Sequence, residues 1–483
     1  MGVLSGLEPK AVFEFFEDLC ALPHGTHQTG PVSDYLVDFA RRRGLRYRRD
    51  EVNNVVIWKD AAPGYEDAPT LMLQGHMDML VEKEHSCDRV PEKEGLDIFV
   101  AGDEIGAHGT TLGADDCIGV AMALAVLDDD HLRHGPLECV FTVDEEMGMQ
   151  GVRALDVSDL KAKYMINLDS LEERVFTVSC AGSTRVVSTL PVQREPFDGR
   201  VCALMVDGLV GGHSGEDIHR GRANANHLMG RVLTELMDRT ELRLLTVSGG
   251  AKDNTIPRDA AALIAVRDLD AAKAAAKAAA QALGPILESE YRAAESKVRV
   301  RLFPTRSHFV AMDEESTRRA ATFLFCAPNG VQMMSVEVPG LVQTSLNFAQ
   351  VYTEDDDVVA RFMIRSSINS QAEETARRVM ALTRALGGTA AIPSSYSAWQ
   401  YRPQSHLRDV MTDAFRTVYG IEPRIAAQHA SLECGIFSGK IPDLDCISIG
   451  PDVVNVHTPR ERLKVASTWR TWALLRETLR RLK

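Results

Sequence analysis

Short apolar runs separated by helix-like periods fill the first third of the chain. Residues 9–22 carry apolar positions on one helical face, with Pro9 in the first turn and Pro23 just past the end. Asn54–Trp58, Thr70–Leu73, Cys139–Val143 and Tyr164–Leu168 are short and largely apolar, the pattern of strands buried on both faces. Ile118–Leu127 is apolar all round and predicts a helix without a solvent face. Such alternation predicts an α/β domain with a mixed, mostly parallel sheet flanked by helices.

The pattern changes near Ser183. From there to about residue 395, β-branched segments alternate with alanine-rich ones, and the first style returns in Asp445-Cys446-Ile447-Ser448-Ile449-Gly450. The expectation is one domain of residues 1–183 and 397–483, interrupted by an inserted α+β domain of residues 184–396. Ala271 to Leu283 predicts a surface helix by propensity, ending before Gly284-Pro285. The insert also hints at internal duplication. Gly249-Gly250, Asn254, a strand ending near Arg267 and a helix are echoed by Asn347, a strand ending at Arg365 and a helix over 371–386.

Length agrees with two cores, since 483 residues exceed what one ordinary core encloses. Lys and Arg total 54 against 68 Asp and Glu, a net charge of -14 that argues against nucleic-acid binding. The nine cysteines include no C-x-x-C pair and lie mostly in apolar stretches, as buried free thiols of a reducing compartment do. The start lacks the basic and apolar regions of a signal peptide, and Gly6 stands where a myristoylation signal wants Ser or Thr. No apolar run approaches the roughly 20 residues a membrane span needs. A cytoplasmic protein without membrane association is expected.

Chemistry-bearing residues gather after the apolar runs and Gly-rich turns of the first domain, where open α/β sheets form their sites. In Gln74-Gly75-His76-Met77-Asp78, an extended backbone puts His76 and Asp78 on one side, so Asp78 can fix the imidazole tautomer and leave a lone pair for a metal. Asp115, in Leu112-Gly113-Ala114-Asp115-Asp116, either caps the buried helix or bridges two cations. Asp144-Glu145-Glu146 puts three mutually repelling carboxylates after a strand, a cost that a metal relieves while leaving one carboxylate as a base. Asp169 follows the next strand, and His457 lies on a loop past the last one, where it can complete the metal set.

These motifs resemble the co-catalytic metallopeptidases of the aminoacylase and carboxypeptidase G2 superfamily (M20), and within it the aminoacyl-histidine dipeptidase group, the cytosolic non-specific dipeptidases. The likeness runs over essentially the whole chain. It is most specific in Leu73-Gln74-Gly75-His76-Met77-Asp78-Met79, Thr111-Leu112-Gly113-Ala114-Asp115, Asp144-Glu145-Glu146 and Gly211-Gly212-His213-Ser214-Gly215. Ala327-Pro328-Asn329-Gly330 and Leu432-Glu433-Cys434-Gly435 add to it. The resemblance implies two divalent ions bridged by Asp115, with His76 and Asp169 completing one and Glu146 and His457 the other. Zinc is the expected metal, and N/O ligation also suits manganese or cobalt. Glu145 would be the general base and Asp78 the orienter of His76. The inserted domain would act as a lid supplying His213, Asn254 and Arg365 to the substrate's oxyanion and carboxylate. Three positions depart from the family pattern: Asp116 replaces a usual Asn, Met147 a smaller residue, and Ser431 a usual Gly.

The reaction so implied is metal-dependent hydrolysis of dipeptides, such as β-alanyl-histidine, by a hydroxide held between the ions, with Glu145 moving its proton to the leaving amine. Deacylation of N-acyl amino acids would use the same metal site and is the alternative. An inactive binding protein is disfavoured because all five ligands and the base are present. A dinuclear phosphoesterase is disfavoured by the charge and the missing phosphate-cradling loop. A homodimer through sheet edges remains open.

Overall fold

The computed structural model describes residues 2–274, 289–291, 294–295, 298–308 and 310–483. The alanine-rich helix expected over Ala271 to Leu283 lies outside the described residues beyond position 274. The chain divides into two units, one of Met1–Cys180, Trp399–Ala427 and Leu432–Lys483, the other of Ala181–Ala398 with Gln428–Ser431.

The first unit is built on an eight-stranded mixed sheet. Its order is Arg46–Arg49, Val55–Lys59, Leu137–Thr142, Leu71–His76, Tyr164–Asn167, Asp445–Ser448, Val175–Cys180 and Arg424–Gln428. The central four are parallel, and Leu71–His76 is buried throughout because sheet covers both its edges and helices its faces. The helix Ala114–Asp128 is buried along almost its whole length, which explains its missing polar face. Lys10–Cys20 packs against it through Val12, Phe13, Phe16 and Leu19. Glycine permits the close approach of helix and strand: a Cβ on Gly75 or Gly119 would collide with the Asp116 carboxylate.

The second unit is an antiparallel sheet of two halves that share one strand order. Counted in chain order, Arg200–Asp207, Leu242–Gly249, Ala260–Val266 and Arg299–Pro304 are arranged from the sheet edge inward as fourth, first, third, second. Gly182–Pro191, Val342–Glu354, Asp357–Ser366 and Thr389–Tyr396 continue it as second, third, first, fourth. In each half a helix separates the first and second strands, Ala225–Met237 in one and Glu314–Cys326 in the other. The first half sits in the connection between Gly182–Pro191 and Glu314–Cys326 of the second. The halves join where Ser248 and Gly249 pair with Tyr352 and Val351.

Seven cysteines are buried, but Cys87 is only half-buried and Cys326 is exposed at a helix end, so burial does not extend to all nine. Phe348 lies fully buried at the centre of the second unit's core, its ring 4.7 Å from Phe362 and edge-on to Phe323. Phe348→Ala is expected to cost about 3–5 kcal/mol in that unit's unfolding transition. Calorimetry, which resolves separate transitions in a two-unit chain, checks this; an unshifted second-unit transition contradicts it.

Candidate functional site

Three strand ends and a helix start build the site in the first unit. His76 is the last residue of Leu71–His76, Glu145 and Glu146 follow Leu137–Thr142, and Asp169 follows Tyr164–Asn167. Asp115 stands just past Gly113, where the first turn of Ala114–Asp128 has non-helical dihedrals at Asp115 and Asp116. That departure leaves the Asp115 carboxylate free of ordinary capping. His457 lies on the loop between Val453–Val454 and Arg462–Lys464, half-exposed and with a positive φ.

These side chains converge on the two oxygens of Asp115. His76 Nε2 is 3.2 Å from Asp115 Oδ1 and 3.7 Å from Asp169 Oδ1. On the other side, His457 Nε2 is 3.3 Å from Asp115 Oδ2 and 2.9 Å from Glu146 Oε1. His76, Asp115 and Glu146 offer donor atoms that all lie within 4.8 Å of one another. The charges do not balance by themselves. Burial and the neighbouring Asp115 push the Asp169 carboxyl up to about 7, against the pull of His76. Asp115 and Glu146 push His457 up to about 10. Burial disfavours charge on His76, yet Asp115, Asp169 and Asp78 outweigh it and hold its pKa well above the ordinary value. Crowded carboxylate and imidazole donors are what divalent cations with N/O preference would satisfy.

Neighbouring groups orient the donors. His76 Nδ1 lies 2.9 Å from the Asp78 carbonyl and 3.5 Å from its carboxylate, leaving Nε2 for the cluster. Asp78 in turn accepts the Glu145 N–H at 3.0 Å and the Thr26 hydroxyl at 2.9 Å, so one carboxylate ties two metal-side segments together. The run of three acids splits. Asp144 turns away to His27, Glu146 turns to His457, and Glu145 stays in the pocket. Burial, with Asp169, Glu433 and Glu146 nearby, holds the Glu145 carboxyl well above the carboxylate range. Asp116 is buried and accepts the His76 N–H at 3.2 Å. Met147 projects outward at 55% exposure.

Two acids here had no role in the sequence reading. Glu461, 2% exposed, accepts the backbone N–H groups of Leu112, Gly113, Ala114 and Asp115 at 2.8–3.3 Å, clamping the turn that presents Asp115. The only sequence signal was an acid four residues after His457 in a Pro-containing loop. Glu433, wholly buried, accepts from Gln74 Nε2 and the Thr142 hydroxyl, while its Oε1 has no partner. Leu432-Glu433-Cys434-Gly435 had marked it as part of a motif without showing what it touches.

The lid residues named above lie in the second unit, where His213 and Arg365 come together. A Cβ on Gly215 would sit 3.2 Å from His213 Cε1 and 3.3 Å from Arg365 Nε. His213 Nδ1 accepts the Glu216 N–H at 3.2 Å, which places the ring proton on Nε2. Asn254 is exposed beside them: its carbonyl accepts the Ser214 N–H at 2.8 Å, and the next residue, Thr255, pairs with His213. His429, unremarked beforehand, joins the group through Ser345 Oγ at 2.7 Å, and burial together with Arg365 lowers its pKa to about 3.

Carboxylate and imidazole donors at the carboxyl ends of parallel strands, with Glu145 beside them, form an arrangement suited to divalent cations. The profile of peptidase family M20/M25/M40 matches residues 72–481, and the chain belongs to that family. It is 34% identical over 486 residues to the cytosol non-specific dipeptidase of Escherichia coli K12, covering 100% of this chain and 99% of that one. The crystal structure of an aminoacylhistidine dipeptidase from Vibrio alginolyticus superposes with a TM-score of 0.91 at 32% identity, over 99% of this chain and 98% of the other. Aminopeptidase PepT of Bacillus cereus shares the fold at a TM-score of 0.57 and 15% identity, with 99% of each chain covered. The protein is a metal-dependent hydrolase of peptide bonds. Among the described residues no helix is long and apolar enough to cross a membrane.

Because Glu461 holds the Asp115 turn through four amides, Glu461→Ala is expected to weaken divalent-metal affinity about 10–100-fold. Competition with a chromophoric chelator measures this, and unchanged affinity contradicts the clamp.

Proposed function

We propose that the chain is a dipeptidase holding two divalent ions, zinc in the first instance, and working in the cytoplasm on free dipeptides including β-alanyl-histidine. The observation that carries this reading is the sharing of Asp115 between His76 with Asp169 and His457 with Glu146, beside an uncommitted Glu145. The dipeptide substrate is supported by the two relatives above that match over nearly their full lengths and are named for dipeptides. When bound, the ions supply Lewis acidity and bring the pKa of water from about 15.7 towards 7.

The chain's own residues supply the rest. Glu145 takes the proton of the attacking water and passes it to the leaving amine, for which a carboxyl with raised proton affinity is suited. Asp78 holds His76 in the tautomer that turns Nε2 to the metal side. His213, with its proton on Nε2, is a neutral donor for the tetrahedral oxyanion, a role worth roughly 3 kcal/mol elsewhere. Arg365 recognises the free carboxylate in a fork that lysine cannot reproduce. Asn254 completes the polar rim beside His213.

The decisive experiment pairs metal analysis by mass spectrometry with turnover of a panel of dipeptides and N-acetyl amino acids, before and after chelation. Dipeptide cleavage that is lost on chelation and restored by metal is expected; cleavage of the N-acetyl compounds alone would replace this reading with deacylation. Glu145→Ala is expected to keep its metals and lose about 10²–10⁴-fold in kcat; normal turnover would end its role as base.

A further inference from the structure

The second unit contains a buried cation without a carboxylate. Arg365 is 7% exposed, and among the described residues no acid forms an ion pair with it. Its Nη1 donates to Ser431 Oγ at 3.4 Å, and that oxygen lies 2.9 Å from Tyr396 Oη. Its Nε has no partner at all, and the missing side chain of Gly215 leaves space beside that nitrogen. Counter-charge is sparse: Glu216 favours the charged guanidinium but makes no ion pair with it, and His213 and His429 are both held neutral, by burial first and then by Arg365 itself. A buried guanidinium needs an anion, and the edge without a protein partner is the one carrying Nε.

We propose that Ser431 is a positioning residue for Arg365: braced by Tyr396, its hydroxyl anchors the Nη1 end so that the Nε edge is held in register for the substrate's free carboxylate. This deepens, and rests on, the assignment of Arg365 to carboxylate recognition. A serine oxygen can accept from Nη1 and still exchange a hydrogen bond with the tyrosine hydroxyl, which a glycine at this position cannot. A planar fork rewards such restraint, since a bidentate pair forms only when both nitrogens lie in the carboxylate plane, and an anchored side chain loses less entropy on binding.

The test uses the metal-loaded full chain, with KM and kcat for alanyl-alanine and the inhibition constant of alanyl-alanine amide as competitor. Ser431→Ala and Tyr396→Phe are each expected to raise KM for alanyl-alanine about fivefold to tenfold. The amide, which lacks the carboxylate, is expected to lose no affinity, and Ser431→Thr restores the original KM. Arg365→Ala serves as the reference and abolishes the preference for the free dipeptide. If Arg365→Ala does so while Ser431→Ala and Tyr396→Phe leave KM unchanged, the positioning role is overturned and the role of Arg365 stands. If Arg365→Ala leaves the preference intact, both fall. Equal weakening of dipeptide and amide, or a fall in kcat alone, would mark Ser431 as merely structural and overturn the proposal. Should Ser431→Ala fold poorly by circular dichroism, Ser431→Gly, which also removes the hydroxyl, gives the same comparison.

Discussion

Carboxylates repel one another most where water is least available to screen them. The first unit nevertheless gathers Asp115, Asp169 and Glu146 around two imidazoles, with Glu145, Asp116 and Glu433 close behind. Positive charge relieves that repulsion, and the rest of the unit holds the acids in place. Parallel strands do this well because their carboxyl ends all open on one side of the sheet. His76, the Glu145-Glu146 pair and Asp169 therefore reach a common space from three strands that are hydrogen-bonded neighbours. The buried helix adds Asp115 from below, and Gly75 and Gly119 let it come close enough.

Holding the donors requires groups that are not donors themselves. Asp78 links the His76 segment to the Glu145-Glu146 segment, so one residue fixes the imidazole and the Glu145 backbone together. Glu461 fixes the Asp115 turn through four backbone amides, and Glu433 joins Gln74 to Thr142 beneath the site. Each is an acid buried at a cost that its hydrogen bonds offset. The buried helix cannot slide without breaking the Glu461 contacts, so the position of Asp115 is set by tertiary structure rather than by its own loop.

The convergence of His76, Asp115, Glu146, Asp169 and His457 was readable in the sequence because each follows an apolar run or a Gly-rich turn, and strand ends are where such groups collect. The central strands were readable for the same reason, since full burial on both faces leaves an unbroken apolar signature. Glu461 was not, because its partners lie up to 349 residues away in the chain and backbone amides leave no trace in residue identity. Asp144 looked like a member of the acidic trio, yet its positive φ turns it to His27, a choice made by the backbone rather than the composition. The shared strand order of the second unit's halves was only hinted at by sequence, because one half is inserted within the other and the echoing positions are unevenly spaced.

The second unit poses the inverse electrostatic problem. Where the first has too many anions, the second buries Arg365 with no ion-pair partner among the described residues, beside the hydroxyls of Ser431 and Tyr396 and the uncharged rings of His213 and His429. His213 and His429 stay uncharged there, and a charged imidazole would compete with Arg365 for any anion that arrives. A carboxylate entering this group meets one fixed positive charge and hydrogen-bond donors already oriented, so little of its binding energy goes to rearranging the protein. A ligand with an amide in place of the carboxylate would leave the guanidinium buried and unpaired. Discrimination against such a ligand comes from that unpaired charge, which costs more than a missing contact.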